Sequence, residues 1–341
     1  MHRFLLAGLL LLTFTARASD TSPVSPAPLP GDRPGQTPGG QQPATVPLLA
    51  HARVLVLGDS ITQDGRYVTF LEYYLQRHAP GMQCDLISIG LSSETVSGLT
   101  EPGHPAPRPC ALDRLDRALQ AVKPSVVLAC YGMNDGIYHP SSPERLAAFN
   151  DGLRQLIAKV RGSGAQLVLI TPPVFDPLPI NNRTVGAAAA GFGYSHPFAG
   201  YDAVLAEFAA AEVSRQAPGI TVIDLHHAMA DALSEARRQD PAFTFSPDGV
   251  HPNDTGHLLM ARTLAAGLGV PLPSLSPAAE LAALRNDPLF ALVRDRRTLR
   301  SEAWLPYVGS TNGATFKSAS MAATEQVAAR LQAEIEVLAG K

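Results

Sequence analysis

The chain has 341 residues, 45% of them hydrophobic, enough to bury a sizeable core in one large domain or two small ones. A formal net charge of −3 leaves no basic footprint for nucleic acid. Charged residues make up only 17% of the chain while Pro (30) and Gly (28) are plentiful, the composition of a loop-rich exported protein.

The first elements concern export. Met1-His2-Arg3 is a short positive region, Phe4 to Thr15 is an apolar run too short to span a bilayer, and Ala16-Arg17-Ala18 is an A-x-A cleavage site. Residues 1–18 are therefore expected to be a signal peptide cut after Ala18, which predicts a secreted or periplasmic mature protein. No other stretch is long and apolar enough for a membrane span, so no stable membrane insertion is expected after cleavage. Residues 19–49 are rich in Pro, Gly, Thr, Ser and Gln and read as a linker.

From residue 50 strands and helices alternate. The apolar run 53–57 predicts a buried strand, followed by Gly58-Asp59-Ser60. Tyr67, Phe70, Leu71, Tyr74 and Leu75 then fall at helical spacing and predict a helix over 66–78. Strand 84–89 ends at Gly90. A Pro-rich loop leads to helix 111–122, and strand 125–131 ends at Gly132-Met133-Asn134-Asp135. Helix 144–161 carries Leu146, Phe149, Leu153, Leu156, Ile157 and Val160 on one face. Strand 166–170 ends at Thr171-Pro172-Pro173, and a long irregular stretch, 174–199, follows. Helix 201–215, strand 220–225 and a helix near 227–238 lead to the loop Ser246-Pro247-Asp248-Gly249-Val250-His251, and helix 254–268 closes the unit. Five strands alternating with helices imply an α/β fold with a parallel sheet covered on both faces, a three-layer α/β/α sandwich.

Pro271, Pro273 and Pro277 mark a boundary. Residues 50–270 form the expected main domain, and 271–341 a helical C-terminal extension. Within it, 278–300 reads as one or two helices. Residues 320–339 read as another, with Val327, Leu331, Ile335 and Leu338 on one stripe. That helix either packs on the domain or binds a partner; packing is the commoner use of such a stripe. Nothing in the sequence sets an oligomeric state. Cys130 lies in an apolar run and reads as a small buried hydrophobe, whereas Cys84 and Cys110 are free to pair in an oxidising compartment. The cysteine spacings fit no zinc motif, and His104, His139, His226 and His227 are irregularly spaced, so no metal is implied.

The polar motifs fall where strands end, the edge at which parallel α/β sheets place their sites. Ser60 sits where a strand hands over to a helix, a place that lifts a hydroxyl above the sheet edge. Alone, such a serine is more often a helix cap. Asp248 and His251 are three residues apart in a Pro- and Gly-containing loop, so the carboxylate can fold back onto the imidazole Nδ1–H and leave Nε2 to accept a proton from Ser60. Asn134 offers an amide donor for an oxyanion, and Gly90 lets a backbone N–H approach substrate. Each of these motifs also has a commonplace turn or cap reading.

Together and in this order they resemble the SGNH (GDSL) hydrolase family over about residues 52–268. Gly58-Asp59-Ser60-Ile61-Thr62 is similar to the family's first block and Ile89-Gly90 to its second. Gly132-Met133-Asn134-Asp135 is similar to its third, and Asp248-Gly249-Val250-His251-Pro252 to its fifth. The second block departs by carrying Ser88 where the family often has Asn. The resemblance implies a serine esterase with Ser60 as nucleophile, Asp248 and His251 completing a triad, and Ser60, Gly90 and Asn134 as the oxyanion hole. It implies no cofactor. An α/β-hydrolase would instead show G-x-S-x-G, and here Thr62 stands two residues after the serine.

The resemblance extends to secreted carbohydrate acetylesterases, which implies a small-molecule or polysaccharide ester as substrate. No amphipathic lid lies next to the motifs, which favours a short acyl group. The alternatives are a lipase or lysophospholipase acting on longer chains, and a non-catalytic carbohydrate-binding protein on the same fold. Stretch 174–199, with Phe175, Asn181, Arg183, Phe192, Tyr194 and His196, either shapes the leaving-group side or is a surface insertion.

Overall fold

The computed structural model describes residues 48–309 and 319–340. The expected signal peptide and nearly all of the linker lie outside the described residues. Five parallel strands run β1 (Arg53–Gly58), β2 (Asp85–Ser88), β3 (Val126–Cys130), β4 (Gln166–Ile170) and β5 (Ile220–Ile223), in the order β2-β1-β3-β4-β5. All of β3, and all of β1 after Arg53, is buried, as a sheet covered on both faces requires. β1 pairs with β3 from Val54 opposite Val126 to Gly58 opposite Cys130. The strand order reverses between β2 and β3, so the crevice above β1 and β3 is the switch point at which such folds hold ligands.

Ten helices cover the sheet among the described residues. They are α1 (Ser60–Asp64), α2 (Arg66–His78), α3 (Leu112–Val122), α4 (Pro143–Gly162), α5 (Tyr201–Val213), α6 (Leu225–Gln239), α7 (Asp254–Gly267), α8 (Pro277–Asn286), α9 (Pro288–Tyr307) and α10 (Met321–Ala339). Right-handed crossovers put α3, α4 and α5 on one face, and α2 packs with α7 and α9 on the other. The α/β/α sandwich expected from the sequence is the fold observed.

Two elements differ from the sequence reading. α1 is an extra helix of five residues, capped by Asp59 and ended by Gly65 in the left-handed region (φ 70°). Five residues are too few to show a period. α6 starts at Leu225, and β5 stops at Ile223, because the Asp224 carboxylate caps α6.

The C-terminal helices are joined to the sandwich by buried charge. Arg296 bonds Glu72 of α2 (2.6 Å) and Asp85 of β2 (2.8 Å), and Arg300 bonds Asp85 (2.5 Å) and the Leu86 carbonyl (2.8 Å). Glu280 of α8 accepts from the Tyr74 hydroxyl and pairs with Arg262 (2.6 Å). α10 packs on α9 through Thr324, Ala328 and Ile335, and Trp304 donates to Glu325 (2.6 Å). The stripe expected on α10 is thus only partly right. Ile335 faces inward, but Val327 is 36% exposed, because the inward row runs through Thr324 and Ala328 instead. Cys84, Cys110 and Cys130 are free thiols, so the open pairing of Cys84 with Cys110 is not made.

Candidate active site

Gly58 ends β1 in a place where a Cβ would lie 2.8 Å from the Cys130 carbonyl and 2.1 Å from Thr62 Oγ1, so only glycine lets the strand turn this tightly into a helix. Asp59 then caps α1, its Oδ1 accepting from the Ile61 N–H (2.9 Å). Ser60 follows as the first helical residue, and its N–H belongs to the first turn, which has no intrahelical acceptor. Gly90 lies against this turn: a Cβ there would come 2.3 Å from Gln63 N. The N–H groups on either side of it, of Ile89 and Leu91, donate to the Val56 and Gly58 carbonyls (2.9 Å each).

The loop after α6 brings the other polar pair across the sheet edge. Ser60 Oγ is 2.8 Å from His251 Nε2, and His251 Nδ1 is 2.7 Å from Asp248 Oδ2. The carboxylate accepts at Nδ1, so the proton sits on Nδ1 and the Nε2 lone pair faces the serine hydroxyl. Asp248 Oδ1 also accepts from the Val250 (2.9 Å) and His251 (2.7 Å) N–H groups. Against the upward push of burial, the hydrogen bond to the His251 imidazole and then these backbone bonds hold the Asp248 carboxyl well below the usual carboxylate range, and the same imidazole bond lifts His251 above its ordinary value. The C-terminal end of the loop is fixed: Asn253 caps α7, and Arg66 donates to the Pro252 carbonyl (3.0 Å). Asp248 and His251 are still about half exposed, at 52% and 47% of their side chains, so the site opens to solvent.

Asn134 follows β3 and is buried beside Asp59. Its Oδ1 accepts from Arg108 Nη1 (3.0 Å) and from the Tyr138 hydroxyl (3.2 Å). Both are donors, which fixes which end of the amide is oxygen. Its Nδ2 faces Asp59 Oδ2 (3.4 Å) and the Glu94 carbonyl (3.3 Å). Arg108 is in turn gripped by Glu101 at 2.7 Å through both carboxylate oxygens, a pair whose side chains are only 2% and 1% exposed. Burial pushes the Asp59 carboxyl up to about 7.

All five residues singled out in the sequence, Ser60, Gly90, Asn134, Asp248 and His251, thus lie on elements that meet at one end of the sheet, and Ser60, His251 and Asp248 are in direct contact. Glu101, Arg108 and Tyr138 were not singled out. Glu101 and Arg108 sit in the irregular, Pro-rich stretch before α3, where no period reports burial. The one signal was a lone acid and a lone base seven residues apart in a segment otherwise poor in charge. Stretch 174–199 frames this region: Arg183 donates to the Asp248 carbonyl (3.3 Å), and the Tyr194 N–H donates to Glu101 (3.3 Å).

The sequence profile of the GDSL-like lipase/acylhydrolase family matches residues 56–259. No curated protein sequence matches the chain. Among solved structures, BT4096, a gut microbial diltiazem-metabolizing enzyme, is similar at 19% identity with a TM-score of 0.50, over 64% of this chain and 47% of that one. The chain therefore spans about half the length of BT4096. Axe2, an acetylxylan esterase from Geobacillus stearothermophilus, aligns at 18% identity with a TM-score of 0.49, over 66% of this chain and 98% of that one. The acetyl xylan esterase AlAXEase aligns at 20% identity with a TM-score of 0.42, over 63% and 98%. The family profile covers more than half of the 341 residues. The chain belongs to the GDSL-like lipase/acylhydrolase family.

Proposed function

We propose that the protein is a serine esterase that removes short acyl groups, acetyl above all, from carbohydrate, through an acyl-enzyme on Ser60. The observation that carries the reading is the unbroken hydrogen-bonded chain from Ser60 Oγ through His251 to Asp248.

His251 Nε2 takes the Ser60 proton as Oγ attacks the ester carbonyl. Asp248 holds the imidazole in the required tautomer and stabilises the imidazolium that forms. The oxyanion takes hydrogen bonds from the Ser60 and Gly90 N–H groups and from Asn134 Nδ2, whose long contact to Asp59 it replaces. His251 then protonates the leaving alcohol. Water, deprotonated by the same nitrogen, attacks the acyl-enzyme and releases the acid. The chemistry runs on side chains and backbone alone.

The half-exposed site suits a bulky, solvated leaving group more than a lipid tail. Its surroundings are hydrogen-bonding and aromatic, the surface chemistry that fits sugars: Arg183 is exposed and Tyr194 is 47% exposed on the 174–199 stretch. Export through residues 1–18, cut after Ala18, places the enzyme outside the cytoplasm in this reading, and N-terminal sequencing of the mature protein checks it.

Hydrolysis of p-nitrophenyl esters from acetate to palmitate, by wild type and by Ser60→Ala, tests the proposal. Acetate is expected to turn over fastest, with the variant inactive. A long-chain optimum would replace the carbohydrate reading with a lipid one. Full activity in Ser60→Ala would overturn the mechanism.

A further inference from the structure

Stretch 174–199 is fastened to the catalytic loop at three points. The Asp176 N–H donates to the Gly249 carbonyl (2.9 Å), Ile180 packs where a Cβ on Gly249 would meet its Cδ1 at 2.5 Å, and Arg183 Nη2 donates to the Asp248 carbonyl (3.3 Å). The Arg183 backbone is fixed as well, its N–H donating to the Ile180 carbonyl (2.8 Å). An arginine thus stands at a set place beside the residue that orients His251.

This arginine has no counter-charge. Its side chain is bonded only to that neutral carbonyl, no carboxylate pairs with it among the described residues, and the residue is exposed. Its own stretch supplies no acid either. From Pro177 to Tyr201 the chain has no acidic residue, and Asp176 just before is 1% exposed and pairs with Arg237 (2.7 Å). The other acids of the site are engaged. Asp59 is buried as the cap of α1, Glu101 grips Arg108, and the Asp248 carboxylate accepts from two backbone N–H groups and from the imidazole. The full charge that stretch 174–199 presents beside the triad is therefore positive.

In the esterase reading, on which this inference rests, the leaving alcohol lies by His251 Nε2, the nitrogen that protonates it. Arg183 is tied to the loop that carries this histidine, so its charge bears on the alcohol, while a short acyl group stays at Ser60. An arginine at a surface is commonplace, but this one is held by backbone and side chain to the catalytic loop. Its remaining N–H donors make no bond within the described residues, and a guanidinium fork matches a planar carboxylate. We infer that Arg183 selects substrates whose alcohol part is an anion, an acetylated sugar acid such as a uronate rather than a neutral sugar, by pairing with its carboxylate.

A matched pair of esters tests it: 4-acetoxybenzoate, whose leaving alcohol carries a carboxylate, and its methyl ester, which does not. The readout is the ratio of kcat/KM for the charged ester to that for the neutral one, which cancels any change common to both. An exposed ion pair is worth up to about fivefold in this ratio. Arg183→Gln is expected to lower the ratio by about that factor and Arg183→Lys to lower it less, and salt at about 1 M is expected to erase most of the difference between wild type and Arg183→Gln. A second measurement needs no turnover. Ser60→Ala, titrated with trigalacturonate and with xylotriose at equal ionic strength, is expected to bind the acidic trisaccharide more tightly and to lose that preference when Arg183→Gln is added. A ratio unchanged in Arg183→Gln overturns the inference, as does the absence of a preference for the acidic trisaccharide in Ser60→Ala. Failure of wild type to hydrolyse either ester would count against the esterase reading alone, and the trisaccharide comparison would still decide the role of Arg183.

Discussion

Arg108→Met is the most informative single change, because it separates orientation of the Asn134 amide from the chemistry itself. Arg108 makes two 2.7 Å bonds to Glu101 and one 3.0 Å bond to Asn134 Oδ1. Removing it leaves the Glu101 carboxylate buried at 1% exposure without its cation. Breaking such a pair costs about 3–5 kcal/mol, a large share of a domain stability of roughly 5–15 kcal/mol. Urea unfolding should show that loss, and Glu101→Gln in the same chain should restore a good part of it, since the orphaned charge is then gone. The kinetic effect is distinct. With Arg108 absent only the Tyr138 hydroxyl holds the amide oxygen, and the N–H proposed to meet the oxyanion is no longer fixed. Loss of an oxyanion donor costs on the order of a hundredfold or more in kcat. Partial disorder of one should cost about tenfold, with KM little changed, in the double variant as well as the single one. The assay is p-nitrophenyl acetate hydrolysis well below the unfolding midpoint. If Asn134→Ala loses a hundredfold while the folded double variant keeps full kcat, the buried pair does not orient the amide and the reasoning fails.

The remaining predictions follow the same contacts. Gly90→Ala forces a Cβ against the α1 backbone and is expected to destabilise by about 1–3 kcal/mol, as read from urea unfolding, with a fall in kcat as the Gly90 N–H shifts. Activity should rise with pH through an inflection above the ordinary histidine value of about 6.5, because Asp248 raises His251; in Asp248→Asn the residual inflection should move down, and an unmoved inflection would show that the carboxylate does not set it. The same pair sets a stability window. His251, raised in the fold, contributes stability below the unfolded value that fades as pH rises through the folded one. Asp248, depressed in the fold, contributes above its unfolded value and loses that as pH falls toward the folded one. Thermal midpoints of Asp248→Asn and wild type should stay apart from neutral pH down into the ordinary carboxylate range and draw together only as pH falls below it, toward the depressed folded value. Truncation after Val270 strips Glu72 and Asp85 of the arginines that neutralise them, so residues 48–270 alone should not fold to a soluble domain; a stable truncated product would show that the extension is dispensable.

Much of this molecule was legible in its sequence for specific reasons. β3 reads as a continuous apolar run because both faces of the sheet are covered, and each polar motif follows a strand because parallel sheets place their sites at that edge. Asp248 and His251 could be paired because their bond is local, three residues along one loop. What stayed hidden depends on distance along the chain. Glu101 and Arg108 act on Asn134 from a segment with no period, and contact across some 26 residues of sequence leaves no local trace. The arginines of α9 were present in Arg296-Arg297-Thr298-Leu299-Arg300, but a run of charge on a helix normally faces water. Here it faces inward only because Glu72 and Asp85, more than two hundred residues earlier, wait on α2 and β2. The stripe on α10 misled for the opposite reason, since Thr324 and Ala328 are small enough to let α10 sit close on α9 and leave Val327 outside.

The claim at the centre of this account is that Ser60 carries the acyl group. Intact-protein mass spectrometry after mixing with p-nitrophenyl acetate and quenching in acid tests it directly, with peptide mapping of the modified site. Wild type should gain the mass of one acetyl group on the peptide containing Ser60, more stably in His251→Ala if any acylation survives there, and Ser60→Ala should gain none. An acetyl group found on another residue, or steady turnover in Ser60→Ala, would contradict the account.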